Sequence, residues 1–184
     1  MRILKYVFAA VVFFSVMLCA QDDPIKNEPG YFDFGNLSSI SKSDEGTEVN
    51  IQEHLIKMVA KMSEEKDKQL AEMLNGLKLI KVNTFPVTNK NRNLIIKKLE
   101  SVQNSLSSNN WENIIKIKQK GENMNVSLKT DRNKKITGLV VAGIADKGQA
   151  IFVNIVGSID LETLGKLGDK FDIPSLNEFH KKGK

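Results

Sequence analysis

The sequence is poor in the residues that most often carry crosslinks or chemistry. Of 184 residues one is Cys (Cys19), two are His (His54 and His180), one is Trp and four are Pro. A single Cys makes no intrachain disulfide, so the fold must stand on its apolar core. With two His, the second in a basic tail, a His-based zinc site would need several carboxylates to complete it. No Gly-x4-Gly-Lys-Ser/Thr phosphate loop, Gly-x-Gly-x-x-Gly turn, Gly-x-Ser-x-Gly elbow or His-Glu-x-x-His pair occurs. A large excess of one charge is missing too: 27 Lys and Arg face 22 Asp and Glu, net +5. That is too mild for a nucleic-acid-binding domain. No catalytic residue, metal ligand or cofactor site is assigned from the sequence.

Long apolar runs are limited to one. Tyr6 to Ala20 covers 15 residues, about 22 Å as a helix against a hydrocarbon core of about 30 Å, which disfavours a permanent membrane span. Arg2 and Lys5 precede the run, Cys19-Ala20 closes it, and Gln21-Asp22-Asp23-Pro24 turns abruptly polar. This is the order of a secretory signal peptide over 1–20, cut near Ala20. The expectation is an exported protein, periplasmic or secreted, with a lipoprotein anchored through Cys19 as the alternative. Cleavage would remove the only Cys, leave 164 residues, and reduce the charge by Arg2 and Lys5 to +3. That is one domain of ordinary size.

Positions 21–46 are rich in Asp, Asn, Gly, Pro and Ser, and read as a polar linker whose Tyr31, Phe32 and Phe34 can dock on the domain. A single domain is expected over 47–174. Ile51, Leu55, Met58, Val59 and Met62, then Leu70, Met73 and Leu74, have helical spacing, with Ser63 as a cap between two helices and Gly76 as a left-handed terminator. Leu77 to Phe85 reads as a strand. Thr88 or Asn89 then caps a helix with Ile95, Leu99, Val102 and Leu106 on one side. From Trp111 the period becomes two. Trp111–Lys120, Asn123–Thr130, Ile136–Ala145 and Gln149–Ile159 are strands parted by polar, Gly-bearing or Asp-bearing turns. The last two are apolar on both faces and belong at the centre, while the Lys-bearing strand belongs near an edge. Asp160 can cap a helix carrying Leu161, Leu164, Leu167 and Phe171, before a basic tail over 175–184. The fold class is α+β: a mainly antiparallel sheet of about five or six strands with helices packed against it.

Two features could recognise something. Between Asn89 and Lys135 stand 11 basic residues against four acids. Lys116, Lys118, Lys120, Lys129, Arg132, Lys134 and Lys135 form a field that attracts anions, and it equally suits a soluble, Lys-protected edge strand. Nucleic acid is disfavoured as the partner, since Trp111 is the segment's only aromatic. Asn154, a polar residue in an apolar central strand, either satisfies neighbouring backbone or faces a ligand.

Gly138-Leu-Val-Val141, Phe152-Val-Asn-Ile-Val-Gly157-Ser-Ile-Asp160-Leu161 and Leu164-Gly-Lys-Leu167, with Trp111-Glu-Asn-Ile-Ile-Lys116 and Lys120-Gly-Glu-Asn-Met-Asn-Val126 upstream, make the chain resemble an exported bacterial family. That family is known as Domain of Unknown Function 4252, and the resemblance covers about Val49 to Leu167. It implies a signal-bearing α+β envelope protein, some of whose relatives look like lipoproteins, and it brings no activity or catalytic residue. The functional expectation is a non-catalytic envelope or secreted protein binding an envelope protein or an anionic surface, with no transmembrane span after cleavage. A subunit of an envelope assembly, joined through an edge strand, or a hydrolase without a recognisable motif are the alternatives.

Overall fold

A computed structural model describes residues 23–38, 40, 46–119, 121–145 and 148–159. The apolar run before Ala20, Lys120, the Asp146-Lys147 pair, the helix expected from Asp160 to Phe171 and the basic tail lie outside the described residues.

Six strands form one fully antiparallel sheet: β1 (Thr47–Gln52), β2 (Leu77–Pro86), β3 (Glu112–Gln119), β4 (Glu122–Thr130), β5 (Ile136–Ile144) and β6 (Gln149–Ile159), in the order β1-β2-β6-β5-β4-β3. With helices α1 (Glu53–Ser63), α2 (Lys68–Asn75) and α3 (Arg92–Ser108), this is an α+β fold. The strands that are apolar on both faces, β5 and β6, lie centrally, and the Lys-bearing β3 is an edge. Burial on both faces explains their unbroken Val, Ile, Leu and Phe content.

One face of the sheet buries Ile80, Val126, Leu139, Val141, Val153 and Ile155, with Ile56 and Ala60 of α1 and Met73 and Leu74 of α2. The other face buries Phe85, Val140, Ala142 and Phe152 under α3, whose Ile95, Leu99, Val102 and Leu106 all point inward as their spacing predicts. Asn91 is the residue at the helix N-terminus, not Thr88 or Asn89. Its side chain holds the preceding turn, accepting from the Thr88 N–H at 2.7 Å and donating to the Pro86 carbonyl at 3.0 Å.

Four local expectations are corrected. Ile51 belongs to a strand, Thr47–Gln52, and not to the helix that its spacing suggests. That strand is short and polar at every second position, as suits an edge. The apolar line Leu55, Met58, Val59, Met62 faces outward, with Met62 73% exposed, while Ile56 and Ala60 make the core contact. Asp67 caps α2 by accepting from the Leu70 N–H at 2.9 Å, and Ser63 instead bonds back to the Val59 carbonyl. Gly76 is right-handed, φ −76°. It is glycine because a Cβ there would stand 2.6 Å from the Ser158 carbonyl oxygen.

The polar segment before β1 is seated on the α3 face. A 3-10 turn at Pro24–Asn27 leads to a strap in which Phe32, Phe34 and Ile40 are buried. Phe32 packs edge-on to Trp111 at 6.0 Å and Phe34 to Phe152 at 5.5 Å, so the strap closes one aromatic cluster. Backbone approaches backbone here: a Cβ on Gly138 would lie 2.5 Å from Gly30 Cα. Only a Gly–Gly crossing fits that gap.

Candidate functional site

Asn154 is fully buried and its amide is fully used. Its Oδ1 accepts from the Phe32 N–H at 2.9 Å, and its Nδ2 donates to the carbonyls of Gly30 at 3.0 Å and Leu139 at 3.2 Å. The side chain imitates a peptide group and pairs with the strap as a neighbouring strand would. Its polar atoms are therefore spent on backbone and face no open space.

The basic residues that stand together in sequence are parted by the sheet. Lys116 and Lys118 are exposed on β3, on the face opposite Ile115 and Ile117, and their register partners on β4 are Asn125 and Asn123. Lys129, six residues along from Asn123, is engaged: its ammonium donates to the Asn109 and Asn110 carbonyls, where α3 ends. That placement suits the negative end of a helix. Arg132, Lys134 and Lys135 occupy the β4–β5 turn, which Asp131 Oδ1 holds by accepting from the N–H groups of Asn133 and Lys135. At about 3.3 Å per residue the turn lies roughly 25 Å from Lys118, beyond a Debye length of about 8 Å at physiological salt. The two basic groups therefore act independently. Lys120 lies outside the described residues.

Lys116 and Lys118 open onto a groove of about 440 Å³ between β3–β4 and α3. Asn123, Asn125, Gln103 and Asn104 supply four side-chain amides, Glu100 one carboxylate, and Ile96 and Leu99 an apolar wall. Two strand residues on one face stand about 7 Å apart, and cross-strand partners about 5 Å, so the two amines and two amides form a compact rectangle. No ion pair reaches Lys116 or Lys118 among the described residues. The groove thus offers unspent positive charge beside groups that both donate and accept. The Asn residues of β4 escaped the sequence reading, although their alternation in step with the Lys residues of β3 was the available signal.

A second groove, about 460 Å³, lies between the 3-10 turn and the start of α1, with Asp23, Glu28, Glu53, His54, Lys57 and Lys78 along it. Its charges are largely paired: Lys78 meets Glu28 at 2.6 Å and Lys57 meets Glu53 at 2.5 Å. The hydrogen bond from Lys57 holds the Glu53 carboxyl below its ordinary pKa. His54 is exposed, and among the described residues no three His, Cys, Asp or Glu side chains gather as a metal site would require. No described helix is long and apolar enough to cross a membrane.

A family model described as Domain of unknown function (DUF4252) matches residues 39–167, more than half of the chain. No curated protein and no solved structure matches it.

Proposed function

The chain belongs to the DUF4252 family, and from that premise we propose that it is an exported bacterial envelope or secreted protein that works by binding. Its ligand is an acidic, polyhydroxylated chain, a polysaccharide bearing carboxylates, taken up in the groove between α3 and β3. The observation that carries this reading is the rectangle of Lys116, Lys118, Asn125 and Asn123, in which two ammonium groups without ion-pair partners among the described residues stand beside amides that can bond hydroxyls. Lys is a flexible point charge, suited to carboxylates spaced along a chain. Glu100 across the groove disfavours ligands whose negative charge is continuous. The signal-like order of residues 1–20 supports export.

Assembly through β-strand addition at β3 has weaker support, because the register shift between Asn113 and Ile115 and the two exposed Lys residues blunt that edge. The test compares Lys116→Ser with Lys118→Ser against Arg132→Ser with Lys134→Ser and Lys135→Ser, measuring polygalacturonate binding by calorimetry and melting temperature as the fold control. The groove pair is expected to weaken binding at least tenfold, with unchanged melting, and the turn triple to have little effect. Equal losses from both, or loss from the turn alone, would remove the groove from consideration.

A further inference from the structure

The outward face of α1 is the largest unexplained apolar feature among the described residues. Leu55, Met58, Val59 and Met62 recur at i, i+3, i+4 and i+7 and are 42, 58, 49 and 73% exposed. They form one strip on the order of a few hundred Å², the size at which exposed apolar surface marks an interaction site. Lys57 and Lys61 flank it on one side, with stems long enough to reach past an apolar boundary. We propose that this face of α1 rests on a lipid bilayer.

The occupant is chosen by place and by area. Asp23, the first described residue, borders the same groove as Gln52, Glu53 and His54, so the chain enters the fold beside the first turn of α1. The apolar run Val7 to Leu18 ends only five residues before Asp23. Five residues span at most about 18 Å. A bilayer that holds an acylated Cys19, the lipoprotein alternative, therefore comes within reach of α1. A second copy is the weaker occupant, since a stable dimer takes about 800 Å² from each partner and an 11-residue helix offers well under that. A bilayer requires no shape complementarity, only an apolar face with polar flanks. One acyl chain alone gives marginal, reversible attachment, and a second signal makes it stable. The α1 strip would be that second signal.

The inference rests on the lipoprotein form of the export reading to bring the chain to a membrane, and it stands apart from the groove, which opens on the opposite face of the sheet. The test uses the full chain with Cys19→Ser and a single environment-sensitive fluorophore at Met58→Cys, Met62→Cys or, as a control remote from α1, Lys90→Cys. With phosphatidylcholine vesicles, emission at positions 58 and 62 should move to the blue and be quenched by nitroxide lipids, while position 90 stays aqueous. Leu55→Asp with Val59→Asp should return the probe at position 62 to water on the same vesicles, without changing melting temperature, while the apolar run still holds the full chain at the vesicle. Probes at 58 and 62 that stay aqueous on vesicles overturn the proposal. So does a blue shift that grows with protein concentration in the absence of lipid, which would mark a second copy. Polygalacturonate binding measured on the same variants keeps a failure here distinct from a failure of the groove reading.

Discussion

Replacing Asn154 by Ala should release the strap before it unfolds the sheet. The substitution removes one acceptor and two donors from a site with no solvent exposure. The Phe32 N–H and Gly30 carbonyl lose their partner, and the Leu139 carbonyl loses one of its two bonding positions. Each orphaned buried group costs about 1–3 kcal/mol. The strap can escape part of that by lifting off and rehydrating, at the expense of the burial of Phe32 and Phe34, so a net loss of about 3 kcal/mol is expected. For a chain of this size that lowers the melting temperature by roughly 6–12 °C. Trp111 is the assay, because Phe32 packs against its ring. Its emission should shift to the red at temperatures where far-ultraviolet circular dichroism is still native. A melting temperature within 2 °C of the parent, with unchanged Trp emission, would refute the assignment of Asn154 as the strap's anchor. Asn154→Asp adds a signed check. A carboxylate keeps the bond from the Phe32 N–H but sets its second oxygen against two carbonyls, so its folded pKa must lie above its unfolded one. Its stability should then be present at low pH and be lost as pH rises.

Gly138→Ala drives a Cβ to 2.5 Å from Gly30 Cα and should cost about 1–3 kcal/mol. Combined with Asn154→Ala its effect should be less than additive, because both act through the strap, and full additivity in urea unfolding would deny that link. Asn83 is 9% exposed and its Nδ2 has no hydrogen-bond partner among the described residues. Asn83→Leu, which keeps the branched shape of the side chain, should leave stability unchanged or raise it by about 1 kcal/mol, and a loss larger than that would show that the amide has a use. Lys129→Met should lower stability by about 0.3–1 kcal/mol through the end of α3 and leave polygalacturonate binding intact. Reduced binding would return Lys129 to the anion site.

The sheet was readable where a period of two ran between turn residues, as in Glu112–Gln119, and where the short apolar runs of Ile136–Ile144 and Gln149–Ile159 stood between turn residues, as strands buried on both faces do. The α3 stripe was readable because its helix has one apolar line. α1 has two, and spacing alone does not say whether Leu55, Met58, Val59 and Met62 or Ile56 and Ala60 meet the sheet. The smaller line wins because α1 lies close against β1 and β2, where Ala60 lets the backbones approach. β1 was missed because four of its six residues are polar and only Val49 and Ile51 carry the pattern. The candidate site was half legible. Lys116 and Lys118 stood out by charge, but their separation from Arg132, Lys134 and Lys135 depends on hairpin register, and their grouping with Gln103 and Asn104 on where α3 settles.

The strap and the amide that seats it are 122 to 124 positions apart in the chain. At about 5–20 residues per second, a ribosome needs roughly 6–24 s to travel from one to the other. Throughout that interval Gly30 to Phe34 has no seat, and the closing of one face of the sheet waits on β6. The α3 face of the sheet therefore commits to its final arrangement only once β6 has been made.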